Sequence, residues 1–423
     1  MACPTMSSSS RITFYVNSAA LLSSHYGQER SHLSSFISMT SQSFIYPSGR
    51  SSRWSGIPCR ASMELGPALS SSSLVSESPC SSTSGITWAQ SALQGSRPEM
   101  EDSIVIRSDG LQGFSYAAVL DGHAGFSSVE FLREELFKEC AAATENGLLL
   151  HNHKTDLSSI QSALTKAFLQ ADNRLLSCRL EGVTEGQESG STATVMFLGA
   201  NCLIVAHVGD SRVVIARGRN ADIIGSNHRP YGKSKTALAE IKRIRQAGGW
   251  INNGRVCGIL SVSRAFGDIK LKTLRQEMLE EGVKRGIWTN KFASRIEFNG
   301  DWVTAAPDVF QIALEDADFI ILASDGLWDY IGSTEAVQFV RKQLREHGNV
   351  QRACEGLAKL ALDKNGQDNV SVVIADFGKV KYDPNSPSED SNFSEDAGQA
   401  VLILGLVGFG IWLSQFASHS WPF

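Results

Sequence analysis

Eight short apolar runs rich in β-branched residues constrain this chain more than any other feature: DSIVIRS, FSYAAVLD, TATVMFLG, CLIVAHVG, SRVVIARG, VFQIAL, DFIILASD and NVSVVIADF. Each is too short for a helix and is bounded by turn residues, so each reads as a strand. Several are joined by turns as tight as LGAN and GD, which suits antiparallel hairpins. The first folded strand is expected near GITWAQSAL. Helical periods appear at SSVEFLREELFKECAAA, LSSIQSALTKAFLQADNRLLSC, TALAEIKRIRQAG, STEAVQFVRKQLREHG and VQRACEGLAKLALDK. There is no sustained βαβ rhythm and no repeat of domain-building period. The expectation is an α+β domain in which helices cover mostly antiparallel sheets.

Several runs end on an acid. YAAVLDGHAG places Asp121 and Gly122 past a strand, DFIILASDGLWD does the same with Asp325 and Gly326, and GQDNVSVVIADF puts Asp368 and Asn369 ahead of another. One Asp-Gly pair is an ordinary turn. Three such acids, together with Glu101 and Asp102 in SRPEMEDSIVI, describe carboxylates that neighbouring strands bring to one sheet edge. An oxygen-only set suits magnesium or manganese rather than zinc, and a pair of such ions can activate water and neutralise a phosphoryl group. Arg97 offers a planar fork of donors for phosphate oxygens, and His123 could protonate a leaving alkoxide. Taken alone, His123 also reads as a turn histidine. Glu101 and Asp102 alone read as a solvated strand end, since strand alternation sends adjacent side chains to opposite faces unless a bulge intervenes.

The 423 residues suffice to bury a core. A net charge of -5 and a pI near 6.0 supply no basic field for nucleic acid. The eight cysteines are scattered without a C-x-x-C, as free thiols in a reducing compartment are. Residues 1–60 are serine-crowded, carry arginines without lysine and hold a single acid, Glu29. That is transit-peptide composition, and the Met-Ala start without an arginine-faced helix points to a plastid rather than a mitochondrion. Residues 61–85 continue as a flexible serine-rich segment. Residues 379–396 read as an acidic linker, and Ala397 to Ala417 carry no charge, about the length of one bilayer crossing. Trp412 and Trp421 are placed to sit at an interface.

In order, RPEMED, LDGHAG, SGSTA, VAHVGDSR, RIRQAGG, LSVSRAFGD, ILASDGLWD and QDNVSVVI resemble the successive motifs of the metal-dependent serine/threonine protein phosphatases of type 2C. The resemblance spans residues 86–378. It implies a four-layer sandwich of two mainly antiparallel β-sheets flanked by α-helices, with two Mg2+ or Mn2+ ions at one edge. By resemblance, Asp121 is shared by both ions, Gly122 offers its carbonyl, and Asp325 and Asp368 are the remaining direct ligands. Glu101 and Asp102 hold ion-bound water, Asp102 nearest the nucleophile. Arg97 binds phosphate, His123 is the general acid and Asn369 helps position the last ligand.

Two departures from the family pattern stand out. SNHRPYG carries Asn227 where the family usually has an aspartate associated with a weaker third ion, and an amide is a poorer ligand. Residues 269–302 are long and charged where the family has a variable flap. They read either as a solvated helix and loop or as a lid whose Lys270, Lys272 and Arg275 contact a phosphopeptide. With a plastid address and one C-terminal span, the whole resembles thylakoid-associated members that dephosphorylate light-harvesting complex II antenna proteins and reverse state transitions. That implies a monomeric catalytic domain facing the stroma, with antenna phosphoprotein and membrane as partners. The alternatives are a mitochondrial membrane-anchored phosphatase and a catalytically silent phosphopeptide-binding relative, the latter expected to have lost metal acids that this chain keeps.

Overall fold

The computed structural model describes residues 85–151, 156–181 and 188–383. The stretch read above as a transit segment, the acidic stretch from residue 384 onward and the uncharged run 397–417 lie outside them. Among the described residues no helix is long and apolar enough to cross a membrane.

Ten strands form two five-stranded sheets. They are β1 (Thr87–Leu93), β2 (Ser103–Arg107), β3 (Ser115–Leu120), β4 (Ala193–Leu198), β5 (Cys202–Val208), β6 (Arg212–Arg217), β7 (Asn220–Ile224), β8 (Asp308–Ala313), β9 (Phe319–Ala323) and β10 (Val370–Asp376). One sheet runs β1-β10-β9-β6-β7 and the other β8-β5-β4-β3-β2, with every pairing antiparallel. All eight apolar runs are strands. Six helices matter to the packing: α1 (Ser127–Ala143), α2 (Leu157–Glu181), α3 (Lys235–Gln246), α4 (Arg275–Lys284), α5 (Ser333–His347) and α6 (Val350–Asp363).

Strand alternation explains why the runs are apolar throughout rather than at every second residue. In β3, Ala117 and Val119 face the other sheet, packing in one cluster with Val213, Ile215, Ile320, Leu322 and Val373. Their neighbours Tyr116, Ala118 and Leu120 turn the other way, onto α1 and α2. The opposite sheet repeats this, with Ile321, Ala323, Val372 and Ile374 against α5 and α6. Strands buried on both faces read as continuous hydrophobic sequence, and each fully buried Val or Ile contributes about 1.5–3 kcal/mol. The result is four layers, helix, sheet, sheet and helix, as the resemblance implied.

The stretch 269–302 is not a solvated helix and loop. Leu271, Met278, Leu279 and Trp302 belong to a separate buried cluster with Ile244, Val256 and Val262. Trp250 packs edge-on to Trp288 at 5.5 Å and to Trp302 at 5.6 Å between ring centroids. This small core seats α4 beside the carboxylates.

Candidate metal centre

Asp121 follows β3, Asp210 lies between β5 and β6, and Asp325 follows β9. One ligand oxygen from each lies within 4.8 Å of the others. The reason is topological: strand ends from both sheets meet at one edge of the sandwich. Gly122 is required there because a Cβ would come within 2.4 Å of the Glu101 carbonyl oxygen and 2.7 Å of Val129 Cγ2. A side chain at this position would push the Glu101 strand entry away from Asp121.

Burial and crowding of like charge set the electrostatics. Burial first, then the neighbouring acids Asp325, Asp102 and Asp210, pushes the Asp121 carboxyl well above the usual carboxylate range. Burial likewise raises Asp210 against the opposing pull of Arg229. Asp325 is pushed up to about 8 by burial and then by Asp210 and Asp329, and Asp102 to about 7, chiefly by burial. Carboxylates packed this way either hold protons or share a cation. An all-oxygen donor set fits a hard divalent ion.

Around this trio the other sequence candidates fall into place. Glu101, Gly122, His123, Asp368 and Arg97 line the same cleft, which has a volume of about 430 Å³ and is of a size to admit a phosphorylated side chain. Glu101 and Asp102 both precede β2, so strand alternation does not separate them. Gly125 N donates to Glu101 Oε1 at 2.5 Å, and the Ser324 hydroxyl donates to the buried Asp102 Oδ2 at 2.8 Å. Asn369 clamps the entry loop: its Oδ1 accepts from Glu101 N at 2.8 Å, and its Nδ2 donates to the Gln94 and Glu99 carbonyls. Arg97 Nη2 donates to Asp368 Oδ2 at 2.7 Å, its side chain 51% exposed. A single exposed bond leaves this guanidinium free to turn to a phosphate.

His123 is paired with the last residue of the LSVSRAFGD motif, to which the resemblance assigned no role. Its Nε2 lies 2.9 Å from Asp268 Oδ1. Burial alone would lower the imidazole pKa, but Asp268 and the nearby acids outweigh it and raise it. Asp268 is buried, has a left-handed backbone with φ 53°, and keeps a buried Oδ2 without a hydrogen-bond partner among the described residues. Gly190 leaves room for this pair, since a Cβ there would sit 2.3 Å from His123 Nε2 and 2.4 Å from Asp268 Oδ2.

Two expectations are corrected, the set of clustered acids and the flap cations. Asn227, at the position where a third ion was already in doubt, lines a depression with Ile223, Arg229 and Ser234. The acid that joins Asp121 and Asp325 is Asp210. It carries the same signal as they do, an aspartate just past the apolar run LIVAHVG, although its Gly-Asp turn reads as a hairpin. Of Lys270, Lys272 and Arg275, only Lys270 lines the cleft, paired with Glu188 at 2.5 Å and Glu281 at 3.2 Å. Lys272 is buried, donating to Asp172 Oδ2 at 2.6 Å and the Ala265 carbonyl at 2.7 Å. Arg275 donates to the Gly300 carbonyl at 2.5 Å and lies over the Phe298 and Trp302 rings. Both cations are consumed in seating the flap, Lys272 on α2 and Arg275 against Phe298, Gly300 and Trp302.

Comparison with known proteins gives a consistent result. A model of the family Protein phosphatase 2C matches residues 87–370. The chain is 52% identical over 342 residues to Protein phosphatase 2C 57 of Arabidopsis thaliana, covering 80% of this chain and 87% of that protein. It is 30% identical over 319 residues to human Protein phosphatase 1A, covering 72% of each. Among solved structures, serine-threonine phosphatase 2C from Toxoplasma gondii aligns with a TM-score of 0.54 at 20% identity, over 70% of this chain and 96% of that one. That likeness concerns the fold alone.

Proposed function

From the premise that this chain belongs to the protein phosphatase 2C family and is a metal-dependent serine/threonine protein phosphatase, we propose that it acts on phosphorylated light-harvesting complex II antenna proteins at a chloroplast thylakoid membrane. For the chemistry, the observation that carries most weight is the meeting of Asp121, Asp210 and Asp325 in one cleft with Arg97 and His123. For the substrate, the support is the transit-type composition of residues 1–60, the uncharged run 397–417 that would anchor a stroma-facing catalytic domain, and similarity to a plant relative.

Two divalent ions, magnesium or manganese, would be held by Asp121, Gly122, Asp210, Asp325 and Asp368, and when bound would supply Lewis-acid activation of water and neutralise phosphate charge. The protein's own groups do the rest. Arg97 leaves Asp368 to grip two phosphate oxygens with its planar fork. Glu101 and Asp102 accept hydrogen bonds from water and hold it in line with phosphorus. His123, oriented by Asp268, passes a proton to the departing seryl or threonyl oxygen.

That last role has a distinctive signature. His123→Ala is expected to slow hydrolysis of a phosphothreonine peptide by about 100-fold or more. The same variant should lose less than about tenfold on p-nitrophenyl phosphate, whose leaving group departs without a proton. Equal losses on both substrates would remove His123 from the proton-donor role.

The substrate assignment is tested by phosphoprotein profiling of thylakoid membranes with and without the protein. Antenna phosphothreonine should accumulate in its absence. Unchanged antenna phosphorylation, or a fusion of residues 1–60 directing a reporter to mitochondria, would end the thylakoid reading.

A further inference from the structure

Arg229 occupies a place that neither phosphate binding nor proton transfer uses. Its Nε donates to Asp210 Oδ2 at 2.6 Å, and its Nη2 to Asp325 Oδ2 at 2.8 Å. Asp329 accepts from Nη1 at 3.0 Å and from Nη2 at 3.1 Å, and Nη1 also meets the Tyr231 hydroxyl at 3.1 Å. Two of the three carboxylates that converge at the centre therefore each commit an oxygen to one guanidinium. Asp121, the third, has no bond to it.

This arginine is not free to leave as Arg97 is. Its side chain is only 17% exposed. The backbone on its N-terminal side is pinned by fully buried His228, whose N donates to the Gly209 carbonyl and whose carbonyl accepts from Ser263 N, both at 2.7 Å. Pro230 follows and fixes the next φ.

We propose that Arg229 is a built-in counter-cation that competes with a divalent ion for the Asp210–Asp325 side of the centre, making that side the weaker metal position. The inference rests on reading the acidic cluster as a divalent-ion site. Its physical basis is simple. Like charges a few ångströms apart in a partly buried site repel by several kcal/mol even at an effective dielectric constant near 20, and an oxygen engaged by a guanidinium is a poorer metal ligand. On the Asp121, Glu101 and Asp368 side the guanidinium contact is that of Arg97 to Asp368, which is exposed and released when Arg97 turns to phosphate, and Arg229 makes no bond there. Asymmetric affinity within the centre is thus set by a fixed arginine.

The test is a Mn2+ titration by calorimetry on the full-length chain after chelator treatment, comparing wild type with Arg229→Gln. The dissociation constant of the weakest-bound ion is expected to fall by at least about tenfold in Arg229→Gln, about 1.4 kcal/mol. Arg229→Met, which keeps the apolar stem, should behave alike and serves if the glutamine variant does not fold. Thermal melts in chelator establish that each variant is folded. A purely structural strut, once removed, can only loosen the site, so unchanged or weaker Mn2+ binding in the folded variants overturns the proposal. No Mn2+ binding by the wild type overturns the metal-centre reading itself, and the proposal with it.

Discussion

Asp121→Ala is expected to lower phosphopeptide hydrolysis by about 1000-fold or more, with the chain still folded. The size of the loss follows from position: Asp121 is the carboxylate of the trio with no bond to Arg229 and lies beside Glu101 and His123 in the cleft. Without it the ions and the phosphate lose their common reference point. Retention of the fold follows from energetics. Asp121 is half-buried among other acids, and desolvation with their charge raises its pKa, so replacing it relieves repulsion rather than creating an unpaired charge. The melting temperature in chelator should therefore hold or rise. Mn2+ should raise the melting temperature of the wild type, because a ligand bound only to the folded state stabilises it, and this increment should shrink in the variant. Activity retained in Asp121→Ala would overturn the metal-dependent mechanism drawn for this cleft.

The second large effect falls on stability. Lys272→Ala should destabilise the protein by about 3–5 kcal/mol, because it leaves the Asp172 carboxylate buried with its cation removed. Both side chains of the pair are 7% exposed. Asp172 Oδ1 also accepts from Gly267 N at 2.8 Å, tying α2 to the backbone just before Asp268. For a domain of this size the melting temperature should drop by about 6 °C or more. Lys270→Ala is the contrasting case. Lys270 lines the cleft and is 34% exposed, so its removal should leave the melting temperature within about 1–2 °C and act on KM for phosphopeptides. A Lys272→Ala protein that melts like wild type but binds substrate poorly would restore Lys272 as a substrate contact.

These two lysines show where reading the sequence stops. Two residues apart in IKLK, they carry the same charge and the same local pattern, yet one faces the cleft and the other is locked to a helix 100 residues earlier. Asp210 and Arg229 make the same point. Asp210 bears the apolar-run-then-aspartate signal of Asp121 and Asp325, but its hairpin turn is equally consistent with a solvent-exposed loop. Arg229 is an unremarkable charge until Asp325 and Asp329, from a distant strand end, are brought against it. Of the two readings of the flap, the solvated one fails for a related reason. Its tryptophans and leucines are spread among charges, and only the fold gathers Trp250, Trp288 and Trp302 into one cluster.

What this sequence determined by itself is what depends on near neighbours along the chain. Continuous apolar runs specified strands buried on both faces, turn residues specified their ends, and acids at those ends specified a hard-cation chemistry. Ordered motifs then specified the family. Only the tertiary structure decided which acids converge, which cation meets them and which of the two lysines faces the cleft. Those choices depend on sheet register and on packing between residues roughly a hundred or more positions apart, and no local pattern encodes the distance between two side chains that meet only after both sheets have closed on each other.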